Sequence, residues 1–158
     1  MPESATAVPA RLKTVLELAR QEADRRGDRR IGTDQLLLAL LHDQDAPPAR
    51  ALGVTLDQGR EALDAMDRAA LAALGIHFDG RLAPRPVRGQ RRMSLSSSAR
   101  TLLVRAKEIS EGERRGRRID SRHLLLALLA TRHPDPAADL LTELGLRGPE
   151  ISERLAGC

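Results

Sequence analysis

The chain has 158 residues, enough for one ordinary domain or for two small units that share a core, and too few for a large multidomain enzyme. Leucine occurs 27 times and alanine 23 times, whereas the β-branched residues are scarce, so the composition predicts an all-α protein. One Phe and no Tyr or Trp exclude the aromatic platforms on which single-strand nucleic-acid binders stack bases.

The net charge of +4 is spread unevenly along the chain. Between Asp79 and Arg118 there are 12 basic and 4 acidic side chains, so this stretch carries +8 and the remainder carries −4. A basic band of this kind is typical of a surface that meets an anionic partner.

The cysteine content and the lack of a long apolar run predict the cellular compartment of the protein. The one cysteine is Cys158, which excludes an intramolecular disulfide and suits a reducing environment. Residues 1–10 lack the basic start and apolar run of a signal peptide, and no apolar run is long enough to cross a bilayer. We therefore expect a cytoplasmic protein without a membrane partner.

The first predicted element is an amphipathic helix. Its apolar positions share one helical face: Leu12, Val15, Leu16, Ala19 and Ala23. After a turn, Thr33 is placed to cap a second helix, and the apolar run Leu36–Leu41 predicts that this helix lies at the centre of the fold. Two further helices are predicted over Pro48–Leu52 and Leu56–Leu74.

The same order of elements returns in the second half of the chain. The predicted elements are a helix bearing Leu102, Leu103, Ala106 and Ile109, a cap at Asp120 or Ser121, a central helix that contains the apolar run Leu124–Leu129, and helices over Pro136–Leu144 and Pro149–Leu155. Between the halves, residues 79–92 are rich in Pro, Gly and Arg and lack helical periodicity, which predicts an exposed linker.

The two halves are an internal repeat. Residues 19–41 match residues 106–129 with one extra residue in the turn, and Leu52-Gly53-Val54 is echoed by Leu144-Gly145-Leu146. This predicts a first unit over residues 8–78, a linker over 79–95 and a second unit over 96–158, with one shared core.

The repeated motif resembles a known family. A helix with Ala19, Glu22 and Ala23 is followed by Ile31-Gly-Thr-Asp-Gln-Leu-Leu-Leu-Ala-Leu-Leu41. This pairing, in tandem, resembles the N-terminal domain of Clp chaperones, whose pattern is Ile-Gly-Thr-Glu-His-Leu-Leu-Leu-Gly-Leu-Leu, and most of all the ClpC branch. The resemblance covers residues 8–158.

The resemblance implies both a fold and a role. The fold is a pseudo-twofold bundle of about eight helices, built from two tandem four-helix repeats. In the family this domain receives adaptors and substrates above an ATP-driven unfolding ring and catalyses no reaction itself. Because the chain has no Gly-x-x-x-x-Gly-Lys-Ser/Thr loop, it lacks the phosphate-binding site that ATP needs, which implies a stand-alone domain.

The resemblance also assigns candidate partner-binding residues. In the ClpC-like branch the Glu of each motif binds the guanidinium of phosphoarginine on marked proteins. The corresponding pairs here are Thr33 with Asp34, and Ser121 with Arg122. Asp34 keeps the charge on a shorter side chain, whereas Arg122 reverses it and is expected to repel a guanidinium. The alternative is that both are ordinary first-turn residues, with Asp34 near the positive helix end and Arg122 in solvent.

A surface groove of the family is expected to be altered. Each family unit begins with Phe-Thr-Pro-x-Ala, in which the Phe contributes to the groove. Val8 and Leu95 stand at those positions here, so the groove must be aliphatic, and ligands that need the aromatic rings are expected to bind poorly. Ser96 can still cap its helix.

Other chemistries are weakly supported. Arg88, Arg91 and Arg92 in the linker are candidates for an anionic partner such as nucleic acid, but no DNA-reading motif accompanies them and a solvated linker is the simpler interpretation. The four His residues and one Cys show no metal-ligand spacing, and no serine has an evident partner base. We expect no metal, no cofactor and no catalysis.

The sequence therefore predicts a non-catalytic protein-interaction module linked to Clp protease or chaperone function. Its expected partners are Clp components, adaptors or client proteins, including phosphoarginine-marked ones through Asp34, and it would act as an adaptor or as a decoy. The alternative is a nucleic-acid-associated regulatory protein that uses the basic linker.

Overall fold

The structure is a computed structural model in which residues 11–77, 93–113 and 118–157 are described. Within these residues the chain forms the following helices and strands: α1 Leu12–Arg26, β1 Arg30–Ile31, α2 Thr33–Leu40, α3 Pro47–Leu52, α4 Leu56–Ala73, β2 Ser94–Leu95, α5 Ser97–Glu113, α6 Ser121–Leu129, α7 Pro136–Glu143 and α8 Gly148–Ala156. The predicted all-α fold is confirmed. None of the described helices is long and apolar enough to span a membrane.

The two halves are interleaved. Within each half the first two helices pack together, α1 with α2 and α5 with α6. Between the halves, α2 contacts α7 just as α6 contacts α3, and α4 contacts α7 just as α8 contacts α3. Each half therefore completes the hydrophobic surface of the other, as expected for a pseudo-twofold bundle.

The central position predicted for the two leucine-rich helices is confirmed. Helices α2 and α6 contact each other. Their apolar side chains are fully buried at Leu36, Leu37, Leu38, Leu124, Leu125 and Leu128. Because each buried leucine contributes about 1.5–3 kcal/mol, these two helices are a large part of the folding free energy.

Two of the predicted helix caps are confirmed. Asp120 precedes α6, and its side chain accepts hydrogen bonds from the backbone N–H groups of Arg122 (2.9 Å) and His123 (3.3 Å). Ser96 precedes α5, and its Oγ accepts from the backbone N–H of Ala99 at 3.1 Å. Each side chain thus satisfies donors that the first helical turn leaves free.

The cap predicted at Thr33 is wrong. Gly32 is the cap residue of α2, and Thr33 is the first residue of the helix itself. The side chain of Gln35 caps the start of α2, because its Oε1 accepts a hydrogen bond from the backbone N–H of Gly32 at 2.7 Å. The Thr33 hydroxyl therefore does not cap α2 and can form a hydrogen bond with another part of the fold.

Short extended segments join the halves. Strands β1 and β2 pair in parallel, with Arg30 opposite Ser94 and Ile31 opposite Leu95. On the other half, Asp120 forms an isolated antiparallel bridge with Arg11. The start of each unit thus lies against the turn between the first two helices of the other unit.

Candidate functional site

The Thr33 hydroxyl links the two halves. Thr33 is completely buried, and its Oγ1 donates to Asp135 Oδ1 at 2.6 Å. The same oxygen accepts from the backbone N–H of Ala137, in the first turn of α7, at 3.2 Å. The predicted partner-binding residue therefore already has partners within the fold.

The equivalent hydroxyl in the second half has no such contact. Ser121 is buried, and its Oγ has no hydrogen-bond partner among the described residues. The difference follows from the helix that each one meets: α7 is preceded by Asp135, whereas α3, which packs on α6, is preceded by Ala46. Alanine offers no acceptor, so the Ser121 hydroxyl stays unpaired.

We expect Thr33→Val to lower the free energy of unfolding by about 1–3 kcal/mol, because the Asp135 carboxylate loses the buried hydroxyl donor. The Ala137 amide loses Thr33 as an acceptor but keeps Asp135 Oδ1, at 2.9 Å. Ser121→Ala is the matched control and is expected to be neutral or slightly stabilising, since it removes a buried hydroxyl without a partner. Urea denaturation of both variants measures the difference. Equal losses in the two variants would contradict this assignment.

Asp34 lies beside a group of charges that we call the Arg26 cluster: Arg26, Asp28, Asp64 and Asp67. The Arg26 guanidinium donates from Nε to Asp28 Oδ2 at 3.3 Å and from Nη1 to Asp64 Oδ1 at 3.1 Å. Its Nη2 also pairs with Asp67. Burial works against the charge of Arg26, but the hydrogen bond to Asp67 outweighs it and raises the pKa of the guanidinium.

Asp34 is coupled to this cluster through Gln35. Gln35 Nε2 donates to Asp28 Oδ2 at 2.7 Å and more weakly to Asp34 Oδ2 at 3.3 Å. Burial raises the pKa of Asp34 to about 6, the backbone N–H of Gln35 acts in the opposite direction, and the charge of Asp28 adds to the rise. Among the described residues Asp34 forms no ion pair, because the Arg26 guanidinium is directed at the other three aspartates.

The chemistry available at this place is cation binding. Three aspartates pair with the Arg26 guanidinium and Asp34 lies beside them, so these five groups carry net negative charge when the carboxylates are ionised. A ligand guanidinium fits Asp34 electrostatically, whereas the aspartates oppose a phosphate group. Within the described ranges no group of three or more His, Cys, Asp or Glu residues is arranged to hold a metal ion.

At the second site the interpretation of Arg122 as a merely solvated residue is wrong. Its Nη1 donates to both carboxylate oxygens of Glu113, at 2.8 and 2.9 Å. His123 Nε2 lies 3.3 Å from Glu113 Oε1 without forming a hydrogen bond, while its Nδ1 accepts from the backbone N–H of Asp120. The carboxylate at this site is thus already paired with an internal cation.

The two sites carry exchanged charges. In the repeat alignment Arg26, at the end of α1, corresponds to Glu113, at the end of α5, and Asp34 corresponds to Arg122. The first site therefore has a cation on the first helix and an anion on the second, and the second site has the reverse. This exchange keeps opposite charges at neighbouring helix ends while changing which ligand charge each site could accept.

The remaining predicted site residues lie elsewhere. Leu95 is half-buried in β2 opposite Ile31, with its side chain packed against the core. Val8 and the linker arginines Arg88, Arg91 and Arg92 lie outside the described residues.

Sequence reasoning missed the residues around Asp34. Asp64 and Asp67 are three positions apart and so share one face of α4, which is a readable signal for a charged face but not for its partner. Arg26 and Glu113 occupy equivalent repeat positions with opposite charge, and comparing the charges of the two copies would have revealed both.

Comparison with known proteins agrees with the repeat motif. Residues 2–55 match the family model of the Clp repeat (R) N-terminal domain. The fold is similar to that of the N-terminal domain of the caseinolytic protease associated chaperone ClpD from Arabidopsis thaliana, with a TM-score of 0.67 and 20% identity over 92% of each chain. No curated protein matches the sequence. The resemblance to Clp N-terminal domains is confirmed, while the closer likeness to the ClpC branch and the unit boundaries stay predictions.

Proposed function

We propose that this chain, which has the fold of a Clp N-terminal domain, is a non-catalytic protein-interaction module that works beside a Clp unfoldase or protease. It binds adaptors or client proteins. The observation that carries the proposal is the double-repeat fold shared over 92% of the chain, together with the Clp repeat match in the first half. Because residues 1–158 contain no Gly-x-x-x-x-Gly-Lys-Ser/Thr loop, the role proposed for them is binding alone.

Asp34 is the residue we propose as the partner contact. It is a carboxylate at the start of α2, next to an internal guanidinium that is held by three other aspartates. A guanidinium from a partner would give Asp34 the ion pair that it lacks among the described residues, in a place where burial strengthens charge-assisted hydrogen bonds. Binding would weaken as the pH falls below about 6, since Asp34 is then protonated.

The asymmetry of the two sites supports a specialised role. Arg122 occupies the only carboxylate position that the second motif would offer, and Glu113 is engaged by it. With one site for a guanidinium in place of two, the chain would bind fewer marked residues at a time than a domain with both sites. We therefore propose an adaptor or a decoy that competes for Clp partners.

The test is affinity capture from a lysate of the source cell with three forms of the full chain: wild type, Asp34→Asn and Asp57→Asn. Asp57 is the matched control, because its side chain is 88% exposed in the first turn of α4. Bound proteins are identified by mass spectrometry at low and moderate salt. We expect the wild type and the control to recover Clp subunits, adaptors or clients, and Asp34→Asn to recover several-fold less.

The outcomes separate the two parts of the proposal. Equal recovery of Clp proteins by all three forms would support the interaction module and contradict the proposal that Asp34 contacts the partner. Recovery of nucleic acid and its associated proteins alone, lost at moderate salt, would replace the Clp-linked function with the basic-linker alternative.

A further inference from the structure

A short extended segment just before α5 presents a serine to solvent. Ser94 begins β2, which pairs in parallel with β1 so that Ser94 stands opposite Arg30. Exposure alternates along both strands: Arg30 and Ser94 are exposed, whereas Ile31 is buried and Leu95 packs against the core. Because successive side chains of a strand point to opposite faces, the hydroxyl of Ser94 lies on the solvent side of the strand pair.

The sequence around Ser94 has a charge pattern that the protein-interaction role does not explain. In Arg91-Arg92-Met93-Ser94-Leu95, arginines stand three and two positions before the serine and a leucine follows it. Serine kinases of the basophilic class select such segments, because acidic side chains in their cleft bind the two arginines and an apolar pocket receives the residue after the serine. Arg91 and Arg92 lie outside the described residues, so they enter this pattern by their place in the sequence.

The backbone distinguishes Ser94 from another hydroxyl with a related pattern. Thr14 has Arg11 three positions before it and Val15 directly after it, and its side chain is exposed. Thr14 lies in α1, however, where consecutive side chains wind around the helix axis and cannot enter pockets arranged along a straight cleft. The extended backbone at Ser94 suits a cleft that binds its substrate as a strand.

A phosphate on Ser94 would meet a cation that is already in place. Arg30 is the register partner of Ser94, and neighbouring strands lie only about 4.8 Å apart. Arg26, four residues earlier, is held by three aspartates, whereas Arg30 forms no ion pair with a described residue. A guanidinium and a phosphate form a strong, often bidentate, charge-assisted pair. Because β1 belongs to the first half and β2 to the second, this pair would link the two halves.

We propose that Ser94 is a phosphorylation site for a basophilic serine kinase, and that the phosphate strengthens the contact between the two halves by pairing with Arg30. In the transfer, Ser94 Oγ forms a bond to the γ-phosphorus of ATP, and the bond from that phosphorus to the bridging oxygen of ADP breaks. The hydroxyl proton passes to a carboxylate of the kinase. This chain supplies only the hydroxyl, so the inference is independent of the Clp-linked role proposed above.

The first test asks whether the modification occurs on the folded chain. Wild type, Ser94→Ala and Ser97→Ala are incubated with ATP and the catalytic subunit of cAMP-dependent protein kinase, and the phosphate is located by mass spectrometry. Ser97 is the matched control, an exposed serine at the start of α5 without an arginine two or three positions before it. We expect about one phosphate per chain on wild type and on Ser97→Ala, and at least about tenfold less on Ser94→Ala. No phosphate on wild type, or equal labelling of Thr14, would overturn the proposal.

The second test asks whether Arg30 holds the phosphate. Wild type, Arg30→Gln and Arg29→Gln are compared by urea denaturation with and without the phosphate, at pH 7.5, where the phosphate is mostly dianionic. Arg29 is the matched control, an exposed arginine that precedes β1. We expect phosphorylation to raise the urea midpoint of wild type and Arg29→Gln by about 0.5 M, and that of Arg30→Gln not at all. An equal gain in Arg30→Gln, or a gain lost equally in Arg29→Gln, would overturn the pairing.

Discussion

Glu22→Gln is expected to lower the free energy of unfolding by about 2–4 kcal/mol at pH 7, although Glu22 is outside every candidate binding site. The residue is 1% exposed on α1. Its carboxylate accepts two hydrogen bonds from Arg60 of α4, from Nε at 3.1 Å and from Nη2 at 2.6 Å. His42, just after α2, lies 2.7 Å from the same carboxylate through Nε2.

The expected loss is large because three helical segments meet at one buried charge. The neutral amide of Gln accepts only through its oxygen, and it turns an N–H group toward one of the two donors. Arg60 then keeps its charge in a half-buried place with fewer acceptors. Helices α1 and α4 lose one of the polar links between them, while the link from Arg26 to Asp64 remains. Removing one member of a buried pair costs more than the pair itself contributes.

The pH dependence has a definite sign. Burial alone would raise the pKa of Glu22, but the hydrogen bonds from Arg60 and His42 and the charge of Arg60 outweigh it, so the pKa of Glu22 in the folded state lies below its ordinary value of 4.5. The stabilisation is therefore fully present above the unfolded-state pKa and is lost as the pH falls through the lower folded-state pKa. The difference between wild type and Glu22→Gln should shrink below about pH 4.5.

Urea denaturation of both proteins at several pH values measures this difference. Glu17→Gln is the control on the same helix, since Glu17 is 57% exposed and paired with Arg20, and its loss should stay within about 0.5 kcal/mol. A loss of that small size for Glu22→Gln as well would contradict the buried-link interpretation.

The sequence predicted the helices well because their signals are local. Apolar spacing, proline at helix starts and the repeat itself gave helix bounds that the structure shifts by at most about two residues, as with Leu56–Ala73 in place of Leu56–Leu74. The central burial of α2 followed from a helix that is apolar on all sides. Each of these features depends on residues close together in the chain.

The contacts of the site could not be predicted in the same way, because their partners are distant in sequence. Threonine is a residue type that often caps helices, yet the hydroxyl of Thr33 donates to Asp135, 102 positions away in the sequence. The contact forms because the start of α7 lies beside the start of α2. That placement depends on how the two halves interleave, which no local pattern specifies. The Arg26 contact to Asp64, 38 positions away, depends in the same way on the packing of α4 beside α1.

Asp34→Asn is expected to stabilise the protein by about 1–3 kcal/mol at pH 8, the reverse of the effect at Glu22. The pKa of Asp34 is raised from 3.8 to about 6, first by burial and also by the charge of Asp28. The ionised carboxylate is therefore unfavourable in the folded state, and the difference in pKa corresponds to about 3 kcal/mol at most. Asn has nearly the same shape and no charge to bury.

The sign of the pH dependence distinguishes this effect from ordinary helix stabilisation. Because the folded-state pKa of Asp34 lies above its unfolded-state value, the contribution of this residue to the stability is fully present below pH 3.8 and is lost as the pH rises through about 6. The advantage of Asp34→Asn should therefore be absent near pH 4 and complete by pH 8. Asp57→Asn, at a side chain that is 88% exposed, should show no such advantage. A destabilised Asp34→Asn at pH 8 would refute the assignment.

A carboxylate that costs stability needs a reason outside folding. Asp34 makes no ion pair among the described residues and lies beside three aspartates that hold a guanidinium, so a cationic partner is the group that would recover the cost of ionising it. Stability lost at a binding residue is a common consequence of preparing a site for its ligand. An Asp34→Asn chain that is more stable and captures less partner would separate binding from folding at this one position.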